Sequence, residues 1–226
     1  MVLFCGRPFH TATTSPTGFF YGIMPTNDTR QREETGMIYL IRHGETERNK
    51  AQLLQGRSDV PLNETGVQQA REAARFLADR GIVFDRVFSS PLIRAIDTAK
   101  LVAPGVAPVL DDRLLEMDYG PYEGTDLRNP PPEIVTFFRD FVRNPAPAGM
   151  EPLSAVTARM GAFLEEIRDL PGNILLSTHA IAMKGGLEYL TPDSHGRYWS
   201  RFVGNCAIYA VDNAGGGFGL PVEVKN

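Results

Sequence analysis

The sequence predicts an α/β fold with a mostly parallel sheet and helices on both faces. Three observations predict it. Short runs at residues 37–41 (MIYLI), 85–89 (DRVFS) and 173–178 (NILLST) read as buried strands. Segments with helical periodicity separate them, which implies parallel βαβ connections. Each run also ends in polar residues, and open α/β sheets hold ligands outside the carboxyl ends of their strands.

The elements follow in order. Residues 1–36 mix Thr, Ser, Pro, Gly and scattered aromatics without a period, and read as a poorly ordered extension. Met37 stands just before the first strand and is a candidate native start. The rest, 37–226, reads as one domain. Asn63 or Thr65 can cap a helix running to about Arg80, with Val67, Ala70, Ala73, Ala74 and Leu77 on one stripe and Gly81 as its stop. Pro91 suits the first turn of a helix running to about Val102. Residues 108–110 read as a third short strand. Breaks at 129–132 (NPPP) and 145–149 (PAPAG) enclose a short helix over 134–142 that carries Phe137, Phe138 and Phe141. These phenylalanines read as core, with an apolar lid as the alternative. Helices over about 153–169 and 180–190, and a last strand over 206–211, complete the chain.

Composition excludes several function classes. Of 226 residues, 42% are hydrophobic and 22% charged, with a formal net charge of −4, so no global basic footprint for nucleic acid exists. No apolar run has membrane-spanning length, and the first residues lack a secretory pattern. Cys5 and Cys206 have no metal-ligand spacing and read as free thiols in a reducing cytoplasm. The expectation is a soluble cytoplasmic protein with no metal, no cofactor, and no membrane or nucleic-acid partner. A homodimer is left open.

Three polar clusters stand at the strand ends: Arg42-His43-Gly44, Ser89-Ser90-Pro91-Leu92-Ile93-Arg94, and Ser177-Thr178-His179. A fourth, Glu116 with Asp118 as its competitor, follows the third strand. Phosphoryl transfer needs charge stabilisation over three equatorial oxygens, and arginine forks match those oxygens. A neutral imidazole can attack phosphorus and split one hard step into two. A carboxylic acid can then protonate the leaving alkoxide and later deprotonate water. A glycine after the nucleophile permits close backbone approach. His10 and His195 have no such pattern and read as surface residues.

Taken in order, RHGETERN (42–49), QG (55–56), DVPLNETGVQQA (59–70), SSPLIRAIDTA (89–99), LLEMDYGPYEG (114–124) and STHA (177–180) resemble the histidine phosphatase superfamily, also called the phosphoglycerate mutase-like family. The small broad-specificity phosphatase branch is the nearer likeness. The resemblance implies a three-layer α/β/α sandwich. It implies His43 as the phosphorylated nucleophile, Arg42 and Arg94 as phosphate-binding arginines, His179 as the cationic second histidine and Glu116 as the proton donor. Asn49, Gln55, Gly56 and the Ala180 backbone are implied on the phosphate and substrate side. The sequence departs from the pattern at Ala180 (for glycine), at Met150-Glu151-Pro152 (for Gly-Glu-Ser), at Tyr122 and at Arg48 (each often Trp).

The expected reaction is metal-independent hydrolysis of a small phosphorylated metabolite. The segment between Arg94 and Leu153 is short, with a cap at about 121–152, and an open cap favours water as acceptor. A mutase-type phosphotransferase and a non-catalytic phospho-ligand binding module are the alternatives.

Overall fold

The computed structural model describes residues 36–213 and 217–225. Six strands form one sheet: β1 (Met37–Arg42), β2 (Arg86–Ser89), β3 (Val109–Leu110), β4 (Asn173–Thr178), β5 (Ile208–Asp212) and β6 (Val222–Lys225), in the order β3-β2-β4-β1-β5-β6. β1 pairs parallel with β4, β4 with β2 and β2 with β3, while β5 and β6 run antiparallel. The six helices are α1 (Glu47–Lys50), α2 (Glu64–Ala78), α3 (Ile93–Val102), α4 (Pro132–Arg139), α5 (Leu153–Ile167) and α6 (Ala180–Leu190).

β1 explains why the run MIYLI is continuous rather than alternating. Its two faces meet two separate cores, so every position needs an apolar side chain. Ile38 and Leu40 pack with Val156, Met160 and Leu164 of α5 and Met183 and Leu187 of α6. Tyr39 and Ile41 pack with Ala70, Ala73 and Leu77 of α2 and Ala99 and Val102 of α3. The result is three layers, α/β/α, and the polar strand ends emerge together at one edge of both cores. Among the described helices none is long and apolar enough to cross a membrane.

Most elements lie within a few residues of their expected bounds, and the differences have local causes. Asn63 caps α2 by accepting from the Gly66 N–H, at 2.8 Å, and Gly81 takes φ +69 just beyond the helix. Pro91 lies outside the first turn of α3. Leu92 is the cap, and the Ile93 N–H is taken by Asp59 Oδ1 at 2.7 Å, a partner 34 residues upstream. α4 begins inside the proline run: Pro131 caps it and Pro132 occupies the first turn, where a missing N–H is harmless. Phe137 is buried and packs edge-on against Phe141, so it is core. The last strand starts at Ile208, after Cys206 turns the chain with φ +56, and it is an interior strand. β6 and α1 have no expected counterpart. α1 is one turn made by a capping box between Thr46 and Asn49, and the short, largely exposed β6 carries little hydrophobic signal. Gly36 is buried and its carbonyl accepts from the Asn213 N–H, whereas residues 1–35, with Cys5 and His10, lie outside the described residues.

Two glycines fix how the loop after β1 sits on α2. A Cβ on Gly44 would lie 2.4 Å from the Gly66 carbonyl oxygen, and one on Gly66 would lie 2.1 Å from that of Glu45. Backbone meets backbone there, so neither clash can be relieved by a rotamer change. Gly66→Ala is therefore expected to destabilise the fold by about 1–3 kcal/mol. A shift in urea midpoint at unchanged m-value checks this; an unshifted midpoint contradicts it.

Candidate active site

The ends of β1, β2 and β4 bring the three polar clusters to one place. Arg42 is the last residue of β1, and the His43 N–H donates to the Thr178 carbonyl at 2.9 Å, which ties His43 to the end of β4. The His43 and His179 rings are 5.1 Å apart, centroid to centroid. Arg94, in the first turn of α3, donates from Nε to His43 Nε2 at 3.3 Å. Four residues separated by up to 137 positions in the chain thus line one pocket.

The hydrogen bonds assign the tautomer of His43. Nδ1 lies 2.7 Å from the Gly44 carbonyl oxygen, which can only accept, so Nδ1 carries the proton. The Nε2 lone pair then faces Arg94. His43 is 3% exposed, and burial first, then Arg94 and Arg42, hold its imidazole well below the usual histidine range.

Arg94 is fully buried, and its three guanidinium nitrogens are all engaged. Besides His43 it donates to the Ser58 carbonyl at 2.7 Å and the Gly56 carbonyl at 2.6 Å. Burial pulls its pKa down to about 10. Glu123 holds the same loop from the opposite side, accepting from the Gly56 N–H at 2.9 Å and the Ser58 N–H at 3.3 Å, and pairing with Arg48 at 3.1 Å. A Cβ at position 56 would lie 2.6 Å from the Met117 carbonyl oxygen, so glycine is required. Both backbone groups of Gly56 thus serve the loop itself. Among the described residues neither Arg42 nor Arg94 has an ion-pair partner.

His179 caps α6 and is fully buried, with Nε2 2.8 Å from Ser90 Oγ. Burial first, then Arg94 and His43, hold it well below the usual histidine range. The sequence reading wanted a cation here; with only the protein's own cations around it, His179 is neutral at pH 7. A phosphate's negative charge acts the other way and favours the imidazolium. Glu116 is 4% exposed, and its carboxylate lies on the N-terminus of α6, accepting from the N–H groups of Ile181 (3.1 Å), Ala182 (3.0 Å) and Met117 (2.9 Å). The Ala180 N–H takes no part in those bonds. Asp118 instead accepts from the Gly120 N–H at the surface, away from this helix end.

Asn49 and Gln55 sit at the rim. Asn49 closes the capping box with Thr46, and its Oδ1 also receives Asn205 Nδ2 at 3.4 Å. Gln55 Oε1 accepts from Thr46 Oγ1 at 2.7 Å, while Nε2 is buried without a partner. Arg42 Nε and His179 Nδ1 share that condition. An unpaired buried polar atom costs roughly 1–3 kcal/mol. Two of the three, Gln55 Nε2 and Arg42 Nε, are donors only, which suits an acceptor-rich, anionic group.

Several residues position the site without having been assigned a role from the sequence. Ser90 orients His179. Asn205 donates to the His43 carbonyl at 3.0 Å. Arg159 donates to the carbonyls of Arg113 and Leu115 (2.6 Å each), and Glu151 joins it to the Asp118 N–H and Arg57, which together fix the loop bearing Glu116. The Met150-Glu151-Pro152 turn thus acts as a clamp on that loop.

Comparison with known proteins gives the family. The model of the histidine phosphatase superfamily (branch 1) matches residues 38–223. The chain belongs to the histidine phosphatase superfamily. This histidine phosphatase is 35% identical over 183 residues to a Yersinia pestis protein named "Probable phosphoglycerate mutase GpmB", covering 77% of this chain and 84% of that one. Among solved structures, phosphoserine phosphatase from Entamoeba histolytica in complex with 3-phosphoglyceric acid superposes with a TM-score of 0.68 at 26% identity, over 84% of this chain and 95% of that one. A mycobacterial glucosyl-3-phosphoglycerate phosphatase complexed with VO3 gives 0.72 at 25% identity, over 84% and 99%. Family and neighbours make this histidine phosphatase an enzyme of the phosphatase kind.

The depressed histidines set a direction for stability against pH. Below the ordinary histidine value near 6.5 the unfolded chain binds protons that folded His43 and His179 refuse. Stability therefore falls as pH drops below that value, by up to about 1.4 kcal/mol per pH unit for each histidine. His179→Asn is expected to flatten the fall in thermal midpoint between pH 7 and 5. A slope equal to that of the parent contradicts the assignment.

Proposed function

We propose that this enzyme hydrolyses phosphomonoesters without a metal ion, through a phosphohistidine on His43. The observation that supports it is the state of His43: a neutral imidazole with its proton fixed on Nδ1 and its Nε2 lone pair turned to a guanidinium. Nε2 attacks phosphorus in line, and the bond to the leaving oxygen breaks as the N–P bond forms. Arg42, Arg94 and His179 stabilise the equatorial oxygens, the role a divalent ion plays in other phosphoryl-transfer sites. Gln55 and the Ala180 N–H add neutral donors, and Asn49 holds the rim. Glu116 gives its proton to the leaving alkoxide, then takes one from the water that attacks the phosphohistidine, releasing phosphate and free imidazole. A phosphate among these cations also restores charge to His179, so substrate binding prepares the site electrostatically.

The substrate class proposed is a small phosphorylated metabolite, as the phosphoserine and 3-phosphoglyceric acid of the structural relative's complexes suggest. The name of the Yersinia relative favours a second reading, a mutase in which a substrate hydroxyl replaces water. Interconversion of phosphoglycerates with a bisphosphate primer, faster than phosphate release, would establish that reading instead.

His43→Ala is expected to lower kcat/KM by about 10⁴-fold or more on p-nitrophenyl phosphate assayed with chelator present. Intact mass after acid-free quench should show one added phosphoryl group in the parent and none in the variant. Turnover by the variant at the parent rate removes the proposal. Glu116→Gln is expected to lower kcat by about 10²–10⁴-fold for alkyl phosphates, whose leaving group needs a proton. The loss should be smaller for p-nitrophenyl phosphate; equal losses on both substrates would assign Glu116 a positioning role instead.

A further inference from the structure

A second cavity, of about 670 Å³, lies between the segment after α4 and the loop at 195–202. None of the residues of the reacting pocket lines it. Its walls bring Arg139, Arg143, Arg197, Arg201 and Lys184 together against one carboxylate, Asp140. That concentration of positive charge stands out in a chain whose formal net charge is −4.

Part of the charge is already balanced. Asp140 lies 3.6 Å from Arg143, and Glu223 takes Arg201 at 2.8 Å. Arg139 and Arg197, both exposed, have no ion-pair partner among the described residues, and they line the cavity from two different segments, the end of α4 and the loop at 195–202. Lys184 is buried at the third side, with Nζ donating to the Trp199 carbonyl at 3.0 Å and lying 5.4 Å from the Phe141 ring centre. Burial pulls its pKa down to about 8, a value that a neighbouring anion raises again. Two unpaired guanidiniums and an ammonium around one cavity of ligand size suit an anion with more than one charged group.

We infer that this cavity binds a small polyanion, one compact molecule carrying two or more phosphate or carboxylate groups, apart from the reacting phosphate. Arg139 and Arg197 hold it from those two segments, and Lys184 adds its charge to the same cavity. The loop lining the cavity continues to the reaction site. Residues 199–202 run directly into Val203, whose carbonyl receives Arg42 at 2.6 Å, and Asn205, which holds His43. The inference does not rest on the proposed hydrolysis.

The chain has one tryptophan, Trp199, and it lines this cavity, so intrinsic fluorescence reads occupancy directly. The full chain is titrated with tripolyphosphate and, separately, with citrate, at constant ionic strength. Saturable change with at least one is expected, and the two arms tell phosphate from carboxylate preference. Saturating orthovanadate, which fills the reacting pocket, should leave the midpoint in place, and His43→Ala protein should give the same curve. The double variant R139A/R197A should weaken binding by about tenfold or more, with Arg197→Glu as an independent second variant. No saturation with either anion, competition by orthovanadate, or undiminished binding in both variants would overturn the assignment.

Discussion

A buried guanidinium with no ion pair among the described residues governs this structure. Arg94 lies in full burial and still has to place its charge. Removing an ion from water is costly, and the cost is met here by carbonyl dipoles from Gly56 and Ser58 and by the lone pair of His43. Each of those partners is then fixed by the need to meet Arg94. The loop 56–58 cannot move without leaving an N–H unpaired, and Glu123 pins it from behind. The imidazole cannot protonate without setting two cations against each other. One constraint therefore holds a loop, a tautomer and a charge state together.

The same logic runs through α6. A helix N-terminus carries partial positive charge and unpaired N–H groups. Glu116 takes up those groups, so the carboxylate is oriented by backbone rather than by a flexible side chain. His179 caps the same helix, and Ser90 turns its ring. Glu116 and His179 are thus both fixed at the same helix end. The sheet beneath supplies that rigidity, because β1 and β4 are fully paired and packed on both faces.

How much of this was legible in the chain varies with the kind of interaction. The three-layer fold was readable because βαβ alternation leaves a strong pattern, and the runs at 37–41 and 173–178 are apolar on both faces. The convergence of His43, Arg42, Arg94 and His179 was legible because each immediately follows a strand or opens a helix beside one. Motif position alone favoured Glu116 over Asp118; Glu116 meets three backbone donors, two of them at the α6 N-terminus, whereas Asp118 lies at the surface. What stayed hidden was long-range. Asp59 capping α3 and Glu123 gripping Gly56 join residues 34 and 67 positions apart, and no periodicity announces such pairs. β6 and the one-turn α1 were missed because short, exposed elements hold few hydrophobic residues to reveal them. The charge state of His179 is not written in a single sequence either, because protonation depends on burial and neighbours.

Cys206 stands directly behind the reacting imidazole, donating its N–H to the Arg42 and His43 carbonyls. Its side chain is fully buried, and burial pushes the thiol up to about 12. Only thiolates react readily with peroxide or electrophiles. The Cys206 thiol is thus chemically quiet. Cys206 is the one cysteine among the described residues, so an oxidant meets no ready thiolate beside the ends of β1 and β5.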